Sequence, residues 1–126
     1  MKSVTILGET VSKKNGKTWN GYQKRLINSD RYQAWHSSAM EQLMVQKKGF
    51  YTDNCKIIFT FYHKDRLRRD SDNAVSSLFD TLKDAGYIKD DNWEVIQKHL
   101  VFNKMDYTPR VVIDIYEVGE YPSVIF

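Results

Sequence analysis

Residues 56–92 decide the fold: Lys-Ile-Ile-Phe-Thr-Phe-Tyr-His, then Lys-Asp-Arg-Leu-Arg-Arg-Asp-Ser-Asp-Asn, then Ala-Val-Ser-Ser-Leu-Phe-Asp-Thr-Leu-Lys-Asp-Ala-Gly, then Tyr-Ile-Lys-Asp-Asp-Asn. In the first part Ile57, Phe59 and Phe61 point one way, and Ile58, Thr60 and Tyr62 the other. Both sets are largely apolar, the pattern of a central strand covered on both faces. Asp70 or Ser71 then starts a helix that ends near Ala85, with Gly86 as its stop. Ala74, Val75, Leu78, Phe79, Leu82 and Ala85 form its buried stripe. Lys89-Asp90-Asp91-Asn92 is a polar turn, and a strand follows from about Trp93 to Phe102.

Outward from this segment, Asn28 or Ser29 caps a second helix over about Asp30 to Lys48. Tyr32, Trp35, Ala39 and Leu43 share its inner face, widened by Met40 and Met44. Val4 to Gly8 reads as a first strand. Residues 11–28 read as a long basic loop, functional or mobile, with a brief strand at Trp19 to Leu26. Arg110 to Tyr116 alternates cleanly, with Val111, Ile113 and Ile115 inward, and is expected to pair with the strand before it as an antiparallel hairpin. The expected fold is α/β (α+β): one domain over residues 1–126, with a mixed sheet of about four strands covered by two helices. The apolar end of the chain, residues 119–126, is expected to pack on the domain or fray.

The chain has 126 residues and a mean hydropathy of −0.58, and no apolar run approaches a membrane span of about 20 residues. The polar start, Met1 to Glu9, lacks the apolar core of a signal peptide. Cys55, the single cysteine, excludes an intrachain disulfide and a cysteine-based zinc site, which fits a cytoplasmic protein. Net charge is +3 with a pI near 8.9. The positive charge is clustered: Lys13, Lys14, Lys17, Lys24, Arg25 and Arg31 in one stretch, Lys64, Arg66, Arg68 and Arg69 in another. Two basic patches in a nearly balanced chain suit a polyanion such as nucleic acid, or form an ordinary solvated surface.

The chemistry-bearing residues flank the later helix. Asp70 and Asp72 stand at its start, and Asp90 and Asp91 in the turn after its end. About 15 helical residues span roughly 22 Å, so Asp91 meets Asp70 only if tertiary structure returns it there. Converging carboxylates repel one another, and a divalent cation relieves that repulsion. Mg²⁺ takes oxygen ligands, activates water and polarises a phosphoryl oxygen, while Arg68 and Arg69 can clamp the phosphate. On a plainer reading Asp70 is a helix cap, Asp72 complements the helix dipole, and residues 90–92 are a turn. His36, His63 and His99 have no metal-ligand spacing and read as structural or exposed. Trp35 reads as core, while Trp19 and Tyr22 are candidates for stacking on unpaired bases.

The run Arg-Arg-Asp-Ser-Asp-Asn at 68–73, a helix containing Asp80, Leu82, Ala85 and Gly86, and Tyr-Ile-Lys-Asp-Asp-Asn at 87–92 resembles the signature of the RusA family of Holliday junction resolvases. The resemblance is closest from about Phe59 to Phe102. It implies that Asp70, Asp72 and Asp91 are catalytic metal-binding residues, with Asp90 beside them and Asn73 in support. It also implies a homodimer, Mg²⁺ dependence with Mn²⁺ as a substitute, and paired symmetric nicks across a four-way DNA junction, in recombination and repair. Such proteins are found largely in phages and prophages. DNA contacts are expected from Lys13, Lys14, Lys17, Lys24, Arg25, Arg66, Arg68, Arg69 and Lys89. The chain departs from the family at Ser76, where a lysine important in the best-known member is replaced by a residue that cannot supply its charge. A non-catalytic branched-DNA-binding module, or a small protein-interaction domain docking through its apolar tail, are the alternative readings.

Overall fold

The computed structural model describes residues 1–13, 17–22, 25–46, 49–67 and 69–120, and only the backbone at 17–20 and 25–28. The elements are β1 (Lys2–Leu7), β2 (Lys17–Asn20), β3 (Arg25–Asn28), α1 (Asp30–Gln46), β4 (Cys55–His63), α2 (Ser71–Asp84), β5 (Ile96–Met105) and β6 (Arg110–Tyr116). β2 and β3 form a separate antiparallel hairpin, so the brief strand expected over Trp19 to Leu26 is instead two strands with a turn between them. The two lysines that close the expected first helix, Lys47 and Lys48, and the tail 121–126 lie outside the described residues.

The main sheet has the order β1-β6-β4-β5. β6 runs antiparallel to both β1 and β4, and β5 runs parallel to β4. The expected β5–β6 hairpin is therefore incorrect. The turn after β5 crosses the end of β4, where the Asp106 N–H donates to the His63 carbonyl at 2.9 Å. β6 thus enters on the far side of β4. Its alternating residues Val111, Ile113 and Ile115 are all fully buried there, whereas β5 is mostly exposed and serves as an edge. β5 also starts later than expected. Asn92 Oδ1 accepts from the backbone N–H groups of Glu94 and Val95, at 3.0 and 3.2 Å, and holds residues 93–95 in a turn.

α2 carries strong local signals at both ends. Asp70 is its N-cap, and its side chain accepts from the backbone N–H groups of Asp72 and Asn73. At the other end Gly86 adopts φ 74°, its N–H donates to the Lys83 carbonyl at 3.0 Å, and the Tyr87 N–H donates to the Leu82 carbonyl at 2.9 Å. This is the Schellman closure, which only glycine enters without steric cost. The inner faces of both helices pack on β4 and β6 in one core that includes Leu43, Phe59, Leu78, Leu82 and Ile113. The Tyr87 hydroxyl, fully buried, donates to the Leu43 carbonyl and ties the exit of α2 to α1.

Burial pushes the Tyr32 and Tyr51 hydroxyls up to about 12 and the Cys55 thiol up to about 11, and it raises Tyr87. Above its ordinary pKa each of these groups loses its proton in the unfolded chain but keeps it in the folded one, so rising pH favours unfolding. Their stabilising contribution is intact below about pH 9 and fades as pH climbs through 11 to 12. Chemical denaturation midpoints measured across pH 7–12 are expected to hold level and then fall steeply on the alkaline side, a fall that begins with the thiol.

Candidate active site

The βαβ unit β4–α2–β5 determines where the acids lie. β4 and β5 are parallel, so α2 must begin at the end of β4 and finish at the start of β5. Asp70 and Asp72 stand at the first end, and Asp90 and Asp91 at the second. Lys83 in the last turn of α2 gathers the second group, its Nζ lying 3.5 Å from Asp91, 3.8 Å from Asp90 and 3.8 Å from Asp80. Lys83 is thirteen residues beyond Asp70, about 20 Å along the helix axis. Within one chain, then, the structure joins Asp80, Asp90 and Asp91 and leaves Asp70 and Asp72 apart from them. Partial burial pulls Lys83 toward losing its proton, but the carboxylates of Asp91, Asp80 and Asp90 outweigh it and hold the ammonium above its ordinary value. Asp90 is lowered chiefly by the Asp91 backbone N–H, with Lys83 adding to the effect.

At the first end, Asp70 Oδ1 accepts from Asp72 N–H at 3.0 Å and from Asn73 N–H at 3.3 Å. Its Oδ2 accepts from Asn73 Nδ2 at 3.1 Å. Asn73 therefore fixes the plane of the Asp70 carboxylate. Asp70 lines a cleft of about 340 Å³ together with Glu9, Arg31, His63, Arg69 and Asn103. Glu9 links two of these walls, with Oε2 accepting from His63 Nδ1 at 2.9 Å and Oε1 lying 3.4 Å from Arg69 Nη2. Arg69 also pairs with Asp65 at 2.8 Å, and the Leu67 N–H and this guanidinium lower the Asp65 carboxyl. A second cleft, about 500 Å³, continues from the first past Arg66 and Lys104.

The remaining basic residues are dispersed. The Lys13 N–H donates to Ser77 Oγ at 2.7 Å, and its ammonium lies 3.7 Å from Asp80. Lys89 is exposed beside Asp90. Lys17 and Arg25 sit on β2 and β3, where the backbone alone is described, and Lys14, Lys24 and Arg68 lie outside the described residues. Tyr22 is almost fully exposed, while Trp35 belongs to the core. Ser76 is exposed on α2. His36 pairs with Asp84 at 2.9 Å, and His99 packs edge-on to Phe59 and Phe79. Glu9, Asn103 and Lys83 belong to no motif in the sequence, and His63, which reads there as structural or exposed, lines the cleft. Only Lys83 left a readable trace, its i,i+3 spacing from Asp80. The other three meet through strand register, which residue spacing does not encode.

The donor chemistry at the first end fits a hard divalent cation in its sparse form. Two carboxylates, Asp70 and Asp72, suffice when waters and substrate phosphate complete the shell. Oδ1 already accepts two hydrogen bonds, whereas Oδ2 accepts one and retains a lone pair for a cation. A three-carboxylate nest with Asp91 does not exist within one chain, and no group of three or more acidic, histidine or cysteine side chains among the described residues is placed to hold a metal.

Comparison with known proteins agrees with this arrangement of motifs. A family model described as endodeoxyribonuclease RusA matches residues 8–116. The crossover junction endodeoxyribonuclease RusA of Aquifex aeolicus (strain VF5) is 33% identical over 69 residues, 54% of this chain and 55% of that protein. The chain thus spans about half the length of the curated relative it matches. Among the described residues no helix is long and apolar enough to cross a membrane. With the family model covering both acidic motifs, the helix between them and the strands on either side, this chain belongs to the RusA family of endodeoxyribonucleases.

Proposed function

We propose that this chain is a Mg²⁺-dependent endodeoxyribonuclease that resolves four-way DNA junctions by paired symmetric nicks, acting in the cytoplasm in recombination and repair. The observation that carries this reading is the position of Asp70: its carboxylate, oriented by Asn73, stands at a cleft whose walls also present Arg31 and Arg69. Acids alone would repel DNA, and guanidinium groups beside them allow a phosphodiester to approach. Mg²⁺, or Mn²⁺ in its place, supplies activation of water and neutralisation of charge on the phosphoryl oxygens when bound. Asp70 and Asp72 hold the ion. Arg69, Arg66 and Arg31 hold the strand near the cut, and Lys13, Lys89 and the basic residues of the 11–28 segment contact the arms.

Asp90 and Asp91 enter through a homodimer. A two-fold axis that lays α2 of one copy antiparallel to α2 of the other sets the Asp72 end of each helix beside the Lys83 end of its neighbour. Asp91 then completes the acid set across the interface, and two sites arise in matching register, as two symmetric cuts require. Lys83 supports this reading as the cation that already gathers Asp80, Asp90 and Asp91 at that end of the helix, and it occupies the same helix that lacks a lysine at position 76.

The test is cleavage of a synthetic four-way junction with Mg²⁺, run beside a linear duplex of the same arm sequences. Symmetric nick pairs in the junction and an intact duplex are expected. A junction that is bound but left uncut with both Mg²⁺ and Mn²⁺ would make the chain a binding module instead.

A further inference from the structure

Glu9 is unusual among the acids of this chain. It follows β1 at the edge of the sheet, far in sequence from both acidic motifs, yet its carboxylate reaches the cleft beside Asp70. Each oxygen faces a different nitrogen-bearing side chain. Oε2 accepts the Nδ1 proton of His63 at 2.9 Å, and Oε1 lies 3.4 Å from Arg69 Nη2. Oε1 is buried and has no hydrogen bond among the described residues. A brace serving stability alone would satisfy both oxygens, because a buried unpaired acceptor costs free energy. The far side of the His63 ring is held as well, with Nε2 at 3.0 Å from the Asn103 side-chain amide. His63 is therefore gripped on both nitrogens, and Arg69 is drawn from one side by Glu9 and from the other by Asp65.

We propose that Glu9 is a positioning residue for a DNA phosphodiester: it orients the imidazole of His63 and the guanidinium of Arg69 on one wall of the cleft, so that Arg69 and, once the phosphate displaces the exposed Asn103 side chain from Nε2, His63 contact the backbone next to Asp70. The proposal rests on the nuclease reading for its setting. Its own content is that His63 contacts phosphate and that Glu9 sets the orientation of both donors. Arg69 alone could reach many orientations, since its side chain turns about several bonds. The Glu9 and Asp65 carboxylates on Nη2, with the Leu67 carbonyl that accepts from Nη1 at 3.1 Å, restrict these before substrate arrives, which is how preorganised donors favour a transition state over a ground state.

The test uses the full chain with Glu9→Gln and Glu9→Ala. Gln keeps one side-chain oxygen and can satisfy only one of the two partners. Melting temperature and junction affinity are expected to stay close to wild type. The kcat for junction cutting should fall by about 10²-fold in Glu9→Ala, the scale of a catalytic group displaced by about an ångström, and by less in Glu9→Gln. KM should change little. A wild-type kcat in Glu9→Ala, or a fall in kcat that is equal in both variants and tracks a loss of melting temperature, overturns the proposal.

A second measurement needs no cutting. The ring-proton NMR signals of His63, assigned with His63→Gln, are followed as the dinucleotide pTpT is added. They should shift in the wild type and respond weakly in Glu9→Gln. No response in the wild type defeats the phosphate contact. If the wild type cuts no junction while the Glu9-dependent shift is present, the nuclease reading fails and the positioning role stands. If junctions are cut and neither readout depends on Glu9, the positioning role fails alone.

Discussion

Asp70→Asn is expected to fold like the wild type and to cut four-way junctions at least about 10²-fold more slowly, a barrier increase of roughly 2.7 kcal/mol. The substitution separates two roles that one side chain combines. As N-cap of α2, Asp70 accepts from the N–H groups of Asp72 and Asn73, and asparagine caps a helix about as well, so stability should change by no more than about 0.5 kcal/mol. As a cation ligand, however, the side chain loses its charge and presents an NH₂ group in place of one oxygen. Asn73 Nδ2, which donates to Asp70 Oδ2 at 3.1 Å, then faces either a carbonyl oxygen or a second donor, and the fixed carboxylate plane is lost. The contrast with Asp70→Ala is informative: alanine removes the cap as well and should lower stability by about 1 kcal/mol. Equal cutting rates for wild type and Asp70→Asn, with binding intact, would remove Asp70 from the chemistry and leave it as a cap.

The second large effect is expected from mixing two inactive proteins. Asp70→Asn and Asp91→Asn should each be inactive alone. In a mixed dimer with sites shared across the two-fold, one site draws Asp70 from the Asp91→Asn chain and Asp91 from the Asp70→Asn chain, and is intact. The other carries both substitutions. Mixing the purified variants, with time for subunits to exchange, should restore nicking of one strand per junction without restoring paired cuts. The labelled products of a junction with a distinct tag on each strand report this directly. A mixture as inactive as its components, after exchange has been verified by mass, would mean that each chain supplies its own acid set or that Asp91 has no part in it. The geometry behind the expectation is simple: the parallel β4–α2–β5 unit holds Asp91 on Lys83, at the opposite end of α2 from Asp70.

The local architecture was legible because its signals are local. A doubly apolar run marked β4, the 3.6-residue stripe from Ala74 to Ala85 marked α2, and strict alternation marked β6 with its observed bounds, Arg110–Tyr116. Asp70 and Gly86 marked the ends of α2, and both act there as expected. The largest misreading, the expected β5–β6 hairpin, came from the chain path. An antiparallel hairpin is the shortest connection between consecutive strands, yet β6 took the slot between β1 and β4 because its three fully buried side chains belong in the middle of the sheet and the exposed β5 belongs at its edge.

By itself, then, the amino-acid sequence determined the two helices and the strands of the main sheet, the family and the acidic and basic groups available for chemistry, since side-chain periodicity and capping act over a few residues. Tertiary structure alone decided which of those groups meet. It placed Asp70 with Glu9, His63 and Arg69, and Asp91 with Lys83, because the register of the sheet and the direction of a parallel crossover join residues that no spacing along the chain connects.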